Sequence, residues 1–500
     1  MGGASAVHPR SERDVTHWHR EADVVVVGLG SAGVCAAIEA AEAGAETLVL
    51  EAGWRGGGTT AESTAQIYLG GGTPLQVACG VDDDPEEMFK YLMASCGPLP
   101  DEAKVRAFCD GSVAHYHWLL EHGVGFEEGF VPYEVSTMPT AGASLTYTGS
   151  ERAFPYRELA RPAPRGHTVL RDGVGSGEYM MQVLIERLEG LGALIQPETR
   201  SETLVVDDDG RVVGVVSRAA GSECVVRARR GVVLATGGFI QNPEMLRWYA
   251  PDVLRCGRPI AAATSDDGSG IRMGIGVGGA AVRMDAACIV LGYAYANRDN
   301  IRGILVNQKG QRYVNEDQYQ SNHGEIALRQ QQGEVYLLVD DAIYQPAPDD
   351  PALAGVVYPL LAVGETVAEV EAELGMPEGE LVRTVAQYNR HAAEGSDPLF
   401  QKEACWLRAL DQPPYAALDL RVESSPYSVF TLGGLHTRPG GEVLDAEGGV
   451  VAGLYAAGRT ASGIPAQGYN SGLSIADCTF GGRAAGRSAA AAENAGTQTD

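Results

Sequence analysis

Residues 24–51 constrain this chain more than any other stretch. Val24-Val25-Val26-Val27 is a continuous β-branched run of the kind that fills a parallel strand covered on both faces. Gly28-Leu29-Gly30-Ser31-Ala32-Gly33 follows at once. An Ala-rich, helix-like segment then runs to Gly44, and Thr47–Leu50 reads as a second strand closed by the acid Glu51. Each part has a physical role in holding a dinucleotide. Gly28 permits a tight turn, Gly30 lets backbone approach a pyrophosphate, and Gly33 lets the helix pack on the strand. The helix N-terminus aims N–H groups at the anion, and a carboxylate at Glu51 accepts hydrogen bonds from a ribose diol.

Composition sets the frame around that unit. The 500 residues are 45% hydrophobic and 21% charged, an ordinary soluble balance that excludes a disordered or fibrous chain. Glycine is in excess, at 65 residues, without a three-residue repeat, so the surplus serves turns and close backbone approaches. The net charge of −27 opposes binding to nucleic acid or anionic membrane surfaces. No apolar run approaches the ~20 residues of a membrane span, and residues 1–20 lack a signal-peptide core, so a cytoplasmic location is expected. The nine cysteines show no C-x-x-C spacing, which points to buried free thiols and to no metal site.

Three further loops decide between NAD and FAD. Ala52-Gly53-Trp54-Arg55-Gly56-Gly57-Gly58-Thr59-Thr60 resembles the second glycine loop of flavoproteins. Gly231–Gly238 reads as a strand ending in Ala235-Thr236-Gly237-Gly238, and Gly453–Arg459 as another ending in Gly458-Arg459. A helix starting near Gly472 would aim N–H groups at the pyrimidine edge of a flavin and favour negative charge there. Four such elements in order predict FAD. No histidine lies between residues 51 and 80, the region where covalently attached relatives use one, so the FAD is expected to be noncovalent. The expected cofactor-binding residues are Gly28, Gly30, Ser31, Ala32, Gly33, Glu51, Ala52, Thr59, Thr60, Ala61, Ala235, Thr236, Gly237, Gly458, Arg459, Ser471, Leu473 and Ser474. Asp266 and Asp267 are read as simple helix N-caps.

The predicted fold is α/β: a Rossmann-type FAD-binding domain, split in sequence, with an inserted α+β cap. Residues 1–20 form a flexible leader, 21–285 the first part of the FAD domain, 286–427 the cap and 428–500 the second part. Within these, residues 85–123 read as helices, Asp207-Asp208-Asp209-Gly210 as a hairpin turn, Glu334–Asp341 as a strand, and Thr366–Gly375 and Glu378–Gly395 as helices. Pro346–Pro351 and Pro413-Pro414 punctuate the cap. Substrate is expected between cap and flavin.

Longer motifs carry a resemblance along nearly the whole chain. They include Ile67–Gln76, Arg161-Pro162-Ala163-Pro164-Arg165-Gly166-His167, Arg302–Asn307, Gln311–Tyr319, Tyr388–Leu399, Thr431–Leu435 and Gly468-Tyr469-Asn470-Ser471-Gly472. Their order resembles the fumarate reductase/succinate dehydrogenase flavoprotein superfamily and, within it, the 3-ketosteroid Δ4-(5α)-dehydrogenase family. That resemblance implies an FAD-dependent enzyme that introduces a double bond beside the ring ketone of a saturated steroid. A cap tyrosine and a Tyr-x-Ser before the last helix are implicated in catalysis there; they fall on Tyr319, Tyr469 and Ser471. Substrate is expected against Tyr319, Tyr469 and Gly472.

The chemistry fits those groups. A proton on the carbon beside a ketone is acidic because its anion is an enolate, so the site needs a positioned base and donors to the oxygen. Tyr469 is expected to accept the proton, with Tyr319 and Ser471 relaying or orienting, and N–H groups near Gly472 holding the ketone oxygen. A free phenol titrates near ~10, so Tyr469 needs help. Two departures stand out. Asn470 occupies a place where a small residue fits more easily, and Cys288–Asn300 does not match the family clearly, which admits another bulky alicyclic ketone as substrate. One alternative is a fumarate reductase-like reductase of an activated alkene. It needs arginines to clamp a carboxylate, and none lies from Gly463 to Ile475, leaving Arg438, Arg459 and His436 to supply the cation. A non-catalytic flavoprotein is the other. An external electron acceptor is expected, since no separate nicotinamide site is apparent.

Overall fold

The computed structural model describes residues 7–494 apart from 132–143, 170–175, 260–265, 296, 345–356 and 426. Pro346–Pro351 lies outside the described residues.

A nine-stranded sheet organises the nucleotide-binding half. Strand Arg20–Val27 pairs in parallel with Thr47–Leu50 on one side (Val24 opposite Thr47) and with the end of the long strand Ser222–Leu234 on the other (Gly231 opposite Val24). Val24, Val25 and Val26 are wholly buried, as a run covered on both faces requires. Burial of each contributes roughly 1.5–3 kcal/mol, so one charge in this strand would unseat the sheet. Strand Val450–Ala456 adds beside Ser222–Leu234, with Val232 opposite Leu454, so the late segment completes the early sheet. The hairpin read at Asp207–Gly210 joins Thr199–Val206 to Val212–Ala219 in antiparallel register.

Helix Ser31–Glu42 covers one face, and the Ala-rich tail forms helix Leu473–Ala491 against it. Small residues set how closely the two approach. A Cβ on Gly482 would lie 2.3 Å from the Ala32 carbonyl oxygen, and one on Gly486 2.1 Å from that of Ala36. Arg483 Nε and Arg487 Nη1 both donate to Glu39 Oε1, at 2.5 and 2.9 Å, tying the helices at their rim.

The segment expected as a flexible leader is tied down where it is described. Arg10 and Ser11 pair with Val205 and Val206, and the His8 carbonyl accepts from Thr203 Oγ1. Nothing in the local composition marks this, because the partner strand lies about two hundred residues away.

The inserted region builds an antiparallel sheet in the order Ile304–Asn307, Val335–Asp340, Tyr415–Asp419, Leu360–Gly364. Helices Val367–Glu373, opened by a Thr366/Glu369 capping box, and Glu380–Ala393 flank it, as the sequence predicts. The strands where the chain leaves and re-enters, Ala287–Val290 and Ser428–Thr431, pair with each other, Ala287 opposite Thr431. Helix Gln320–Gln330 starts directly after Tyr319, which puts that tyrosine at the inner end of the inserted region.

Candidate active site

A cavity opens along the carboxyl ends of the parallel strands, with about 1390 Å³ of space free of protein atoms when the solvent at its mouth is included. Its walls come from the glycine loop after the first strand, Glu51-Ala52, the loop at Gly58–Thr60, Ala235–Gly237, Ala457–Arg459 and the turn into the last helix.

The three fingerprint glycines have distinct jobs. A Cβ on Gly28, at φ +101°, would lie 2.4 Å from the Ala235 carbonyl oxygen. One on Gly33 would lie 1.9 Å from the Gly28 oxygen, whereas one on Gly30 meets nothing within 4 Å and projects into open space. Gly28 and Gly33 are therefore demanded by the fold, and Gly30 leaves the space a pyrophosphate needs at the N-terminus of helix Ser31–Glu42. Glu51 Oε2 accepts the Leu29 N–H and Oε1 the Gly53 N–H, each at 2.7 Å. The carboxylate thus fixes the glycine loop and keeps lone pairs for a ribose diol. These features fit an FAD.

Of the expected cofactor residues, Gly28, Gly30, Ser31, Ala32, Glu51, Ala52, Thr59, Thr60, Ala235, Thr236, Gly237, Gly458, Arg459, Ser471 and Ser474 line the cavity. Gly33, Ala61 and Leu473 do not: Gly33 is turned into the helix–strand contact, Ala61 ends the short helix behind the loop, and Leu473 is wholly buried. Sequence reasoning missed Thr199-Arg200-Ser201, Gln66 and Phe430, which no motif marks. It also read Asp266 as a cap, whereas its carboxylate forms a buried ion pair with Arg459 in the cavity wall. Asp267 Oδ1 does accept the Ser269 N–H at 3.0 Å, but the N-cap of that helix is Gly268.

At the inner end, Tyr469, Ser471 and Gly472 reach the wall. Tyr319 meets Tyr469 from the inserted region, ring centroids 6.3 Å apart, without lining the cavity itself. The Tyr319 phenol has Ser471 and Tyr295 as neighbours. Tyr295 and Cys288 both belong to the stretch that matched no motif; Cys288 lies in one buried cluster with Tyr319 and Tyr469, and Tyr295 packs against that cluster. Phe430 stands edge-on to Tyr469 at 5.3 Å. The Ser474 N–H, in the first turn of the last helix, donates to Tyr469 Oη at 3.3 Å. Burial pushes the phenols of Tyr319 and Tyr469 well above the usual tyrosine value and Tyr295 up to about 12. All three stand as neutral hydroxyls.

Asn470 departs from expectation for a clear reason. It is buried, its Oδ1 accepts from Tyr91 Oη at 2.7 Å, and its Nδ2 donates to Ser95 Oγ at 2.8 Å. Its polar atoms are satisfied, so the position does not need a small residue. The cations kept for a carboxylate clamp are placed elsewhere or occupied. Arg438 borders a separate small cavity, His436 is not on the main wall, and Arg459 is held by Asp266 and Thr59. Among the described residues no cluster of His, Cys, Asp or Glu is set to hold a metal, and no helix is long and apolar enough to cross a membrane.

Known proteins resemble this chain along most of its length. The FAD binding domain family matches residues 23–475. The structure of 3-ketosteroid-Δ4-(5α)-dehydrogenase from Rhodococcus jostii RHA1, in complex with 4-androstene-3,17-dione, is 46% identical and superposes with a TM-score of 0.91, covering 97% of this chain and 100% of that one. The 3-oxo-5-alpha-steroid 4-dehydrogenase of Comamonas testosteroni is 29% identical, covering 89% of this chain and 94% of that protein. The urocanate reductase of Eggerthella lenta is also 29% identical, covering 94% of this chain and 75% of that protein.

Proposed function

The chain belongs to the FAD binding domain family and is an FAD-dependent oxidoreductase of the 3-ketosteroid dehydrogenase kind; on that premise we propose that it oxidises a saturated 3-ketosteroid, introducing a double bond conjugated to the carbonyl. The observation that carries this reading is the meeting of Tyr319 with Tyr469 and Ser471 at the end of the cofactor cavity. Bound FAD supplies the hydride acceptor. The residues supply the rest: a proton leaves the carbon beside the ketone for Tyr469 Oη, while a hydride leaves the neighbouring carbon.

A neutral, buried phenol accepts a proton only by passing its own onward. In this reading Ser471 and Tyr319 pass that proton on to the half-buried Tyr295, where solvent water takes it up. The Gly472 N–H, at the left-handed residue that starts the last helix, is the donor for the ketone oxygen. Phe430 and the apolar wall exclude water from the developing enolate. We assign residues 21–285 and 428–500 to the FAD domain and 286–427 to the cap, a cytoplasmic location, and an external acceptor that reoxidises the flavin.

The test is anaerobic. The saturated 5α counterpart of 4-androstene-3,17-dione is added to the FAD-loaded protein and the visible flavin absorbance is followed. Bleaching is expected. No bleaching by the steroid, together with reoxidation of reduced protein by fumarate or urocanate, would replace this reading with alkene reduction, for which the identity to a urocanate reductase speaks.

A further inference from the structure

The three hydroxyls of the proposed site sit on two parts of the fold, Tyr319 on one and Tyr469 with Ser471 on the other, and one buried phenol joins their supports. Tyr91 lies on helix Pro85–Ser95 and is 1% exposed. Its hydroxyl donates to Asn470 Oδ1 at 2.7 Å and accepts the Ser150 N–H at 2.8 Å. Asn470 is the middle residue of Tyr469-Asn470-Ser471. Ser150 Oγ accepts the backbone N–H of Tyr319 at 2.9 Å. One oxygen atom therefore stands between the loop carrying Tyr469 and Ser471 and the residue that seats Tyr319.

Neighbouring contacts make the link stiff. The Ser471 N–H donates to the Thr148 carbonyl at 2.9 Å, so the turn holding Ser150 also holds Ser471. The Gln467 N–H donates to the Cys96 carbonyl at 3.2 Å, docking the same loop on the end of the Tyr91 helix. Gly149 leaves no slack: a Cβ there would lie 2.2 Å from Asn470 Oδ1 and 2.4 Å from Tyr91 Oη. The Tyr91 ring is itself fixed edge-on to Tyr156 at 5.8 Å.

We infer that Tyr91 is a positioning residue, a strut whose hydroxyl sets the spacing between Tyr319 and the Tyr469–Ser471 pair. It touches neither substrate nor cofactor and acts through Asn470 and Ser150. The inference rests on the roles proposed above for those three hydroxyls. Its chemical basis is that proton transfer needs hydroxyls held at hydrogen-bonding distance, and small misplacements cost rate steeply.

Tyr91→Phe keeps the ring and removes both hydrogen bonds. Two measurements on the FAD-loaded protein decide the matter. In hydrogen exchange, the amides of Tyr319 and Ser471 are both expected to exchange about tenfold faster, with those of Val24–Val27 unchanged. Acceleration at neither or at only one of the two would overturn the strut. With the saturated steroid, kcat is expected to fall about tenfold while KM moves less than about twofold, and Tyr91→Phe is expected to add no loss to Tyr319→Phe. An additive loss would reduce Tyr91 to a packing residue. If the variant does not fold, Ser150→Ala cuts the Tyr319 arm alone and is expected to accelerate exchange at Tyr319 only; no change there overturns the inference. A parent protein that leaves the steroid untouched would sink the proposed reaction, and the exchange result would still decide the strut.

Discussion

Arg459 and Asp266 form a buried ion pair in the wall of the cofactor cavity, and Arg459 Nη2 also donates to Thr59 Oγ1 at 3.1 Å. The pair joins the Gly458-Arg459 turn to the turn at Asp266, and the Thr59 contact ties Arg459 to the short helix Gly58–Ala61. It also occupies the Arg459 guanidinium, and Asp267 pairs with Arg200, the other arginine on the cavity wall.

Removing one partner of such a pair leaves the other charge buried. Asp266→Asn is therefore expected to destabilise the FAD-loaded protein by about 3 kcal/mol, read from urea unfolding. A change within experimental error would show that Arg459 finds a second partner without cost.

Gly30 and Gly33 separate binding from folding. Gly30→Val is expected to give a folded protein with little flavin, because its side chain enters the open space of the cavity. Gly33→Ala is expected to lower the thermal midpoint instead, since its Cβ would press on the Gly28 oxygen. The ratio of flavin to protein absorbance, set beside the melting curve, distinguishes the two. A Gly30→Val protein retaining full flavin would contradict the cradle.

Tyr469→Phe is expected to keep FAD and slow anaerobic bleaching by about 100-fold or more. Burial raises the Tyr469 and Tyr319 phenols, so both remain protonated from about pH 6 to pH 9 and no break in kcat over that span comes from them. A break near neutral pH that vanished in Tyr469→Phe would show a phenolate base instead.

Glu325, on the helix that starts after Tyr319, has its pKa raised to about 7, first by burial, with Asp252 and Asp285 adding to the rise and Arg329 opposing it. Its folded value lies above its unfolded one. The contribution is thus complete below the unfolded value and is lost as pH rises through about 7. Glu325→Gln stays neutral throughout. Between about pH 5 and pH 8 the parent is expected to lose about 2 kcal/mol of unfolding free energy that the variant keeps, measured by denaturant unfolding at each pH. Parallel pH profiles would remove Glu325 from that account.

What the sequence reveals depends on how far each role reaches along the chain. The roles of Gly28, Gly30 and Gly33 arise within one strand–turn–helix unit, so their pattern is legible. Capping at Thr366 is equally local. Asp266 looks like a cap because a turn and a helix start lie beside it, while its actual partner is 193 residues away. Asn470 looks misplaced for the same reason: Tyr91, which satisfies it, is 379 residues away. Tyr295 belongs to no motif, and only folding brings it to Tyr319. The fold and the glycine loops are readable from nearest neighbours, whereas the polar contacts that position the phenols depend on tertiary contact.

Thr59 and its partner Arg459 are 400 residues apart, and the glycines of the last helix close directly on the helix that opens the chain's first nucleotide loop. A ribosome therefore exposes half of the flavin's berth long before it makes the other half. The wall of that berth is complete only when residues Ala457 to Cys478 join those of the first loop, so a chain ending in the inserted region carries only part of it.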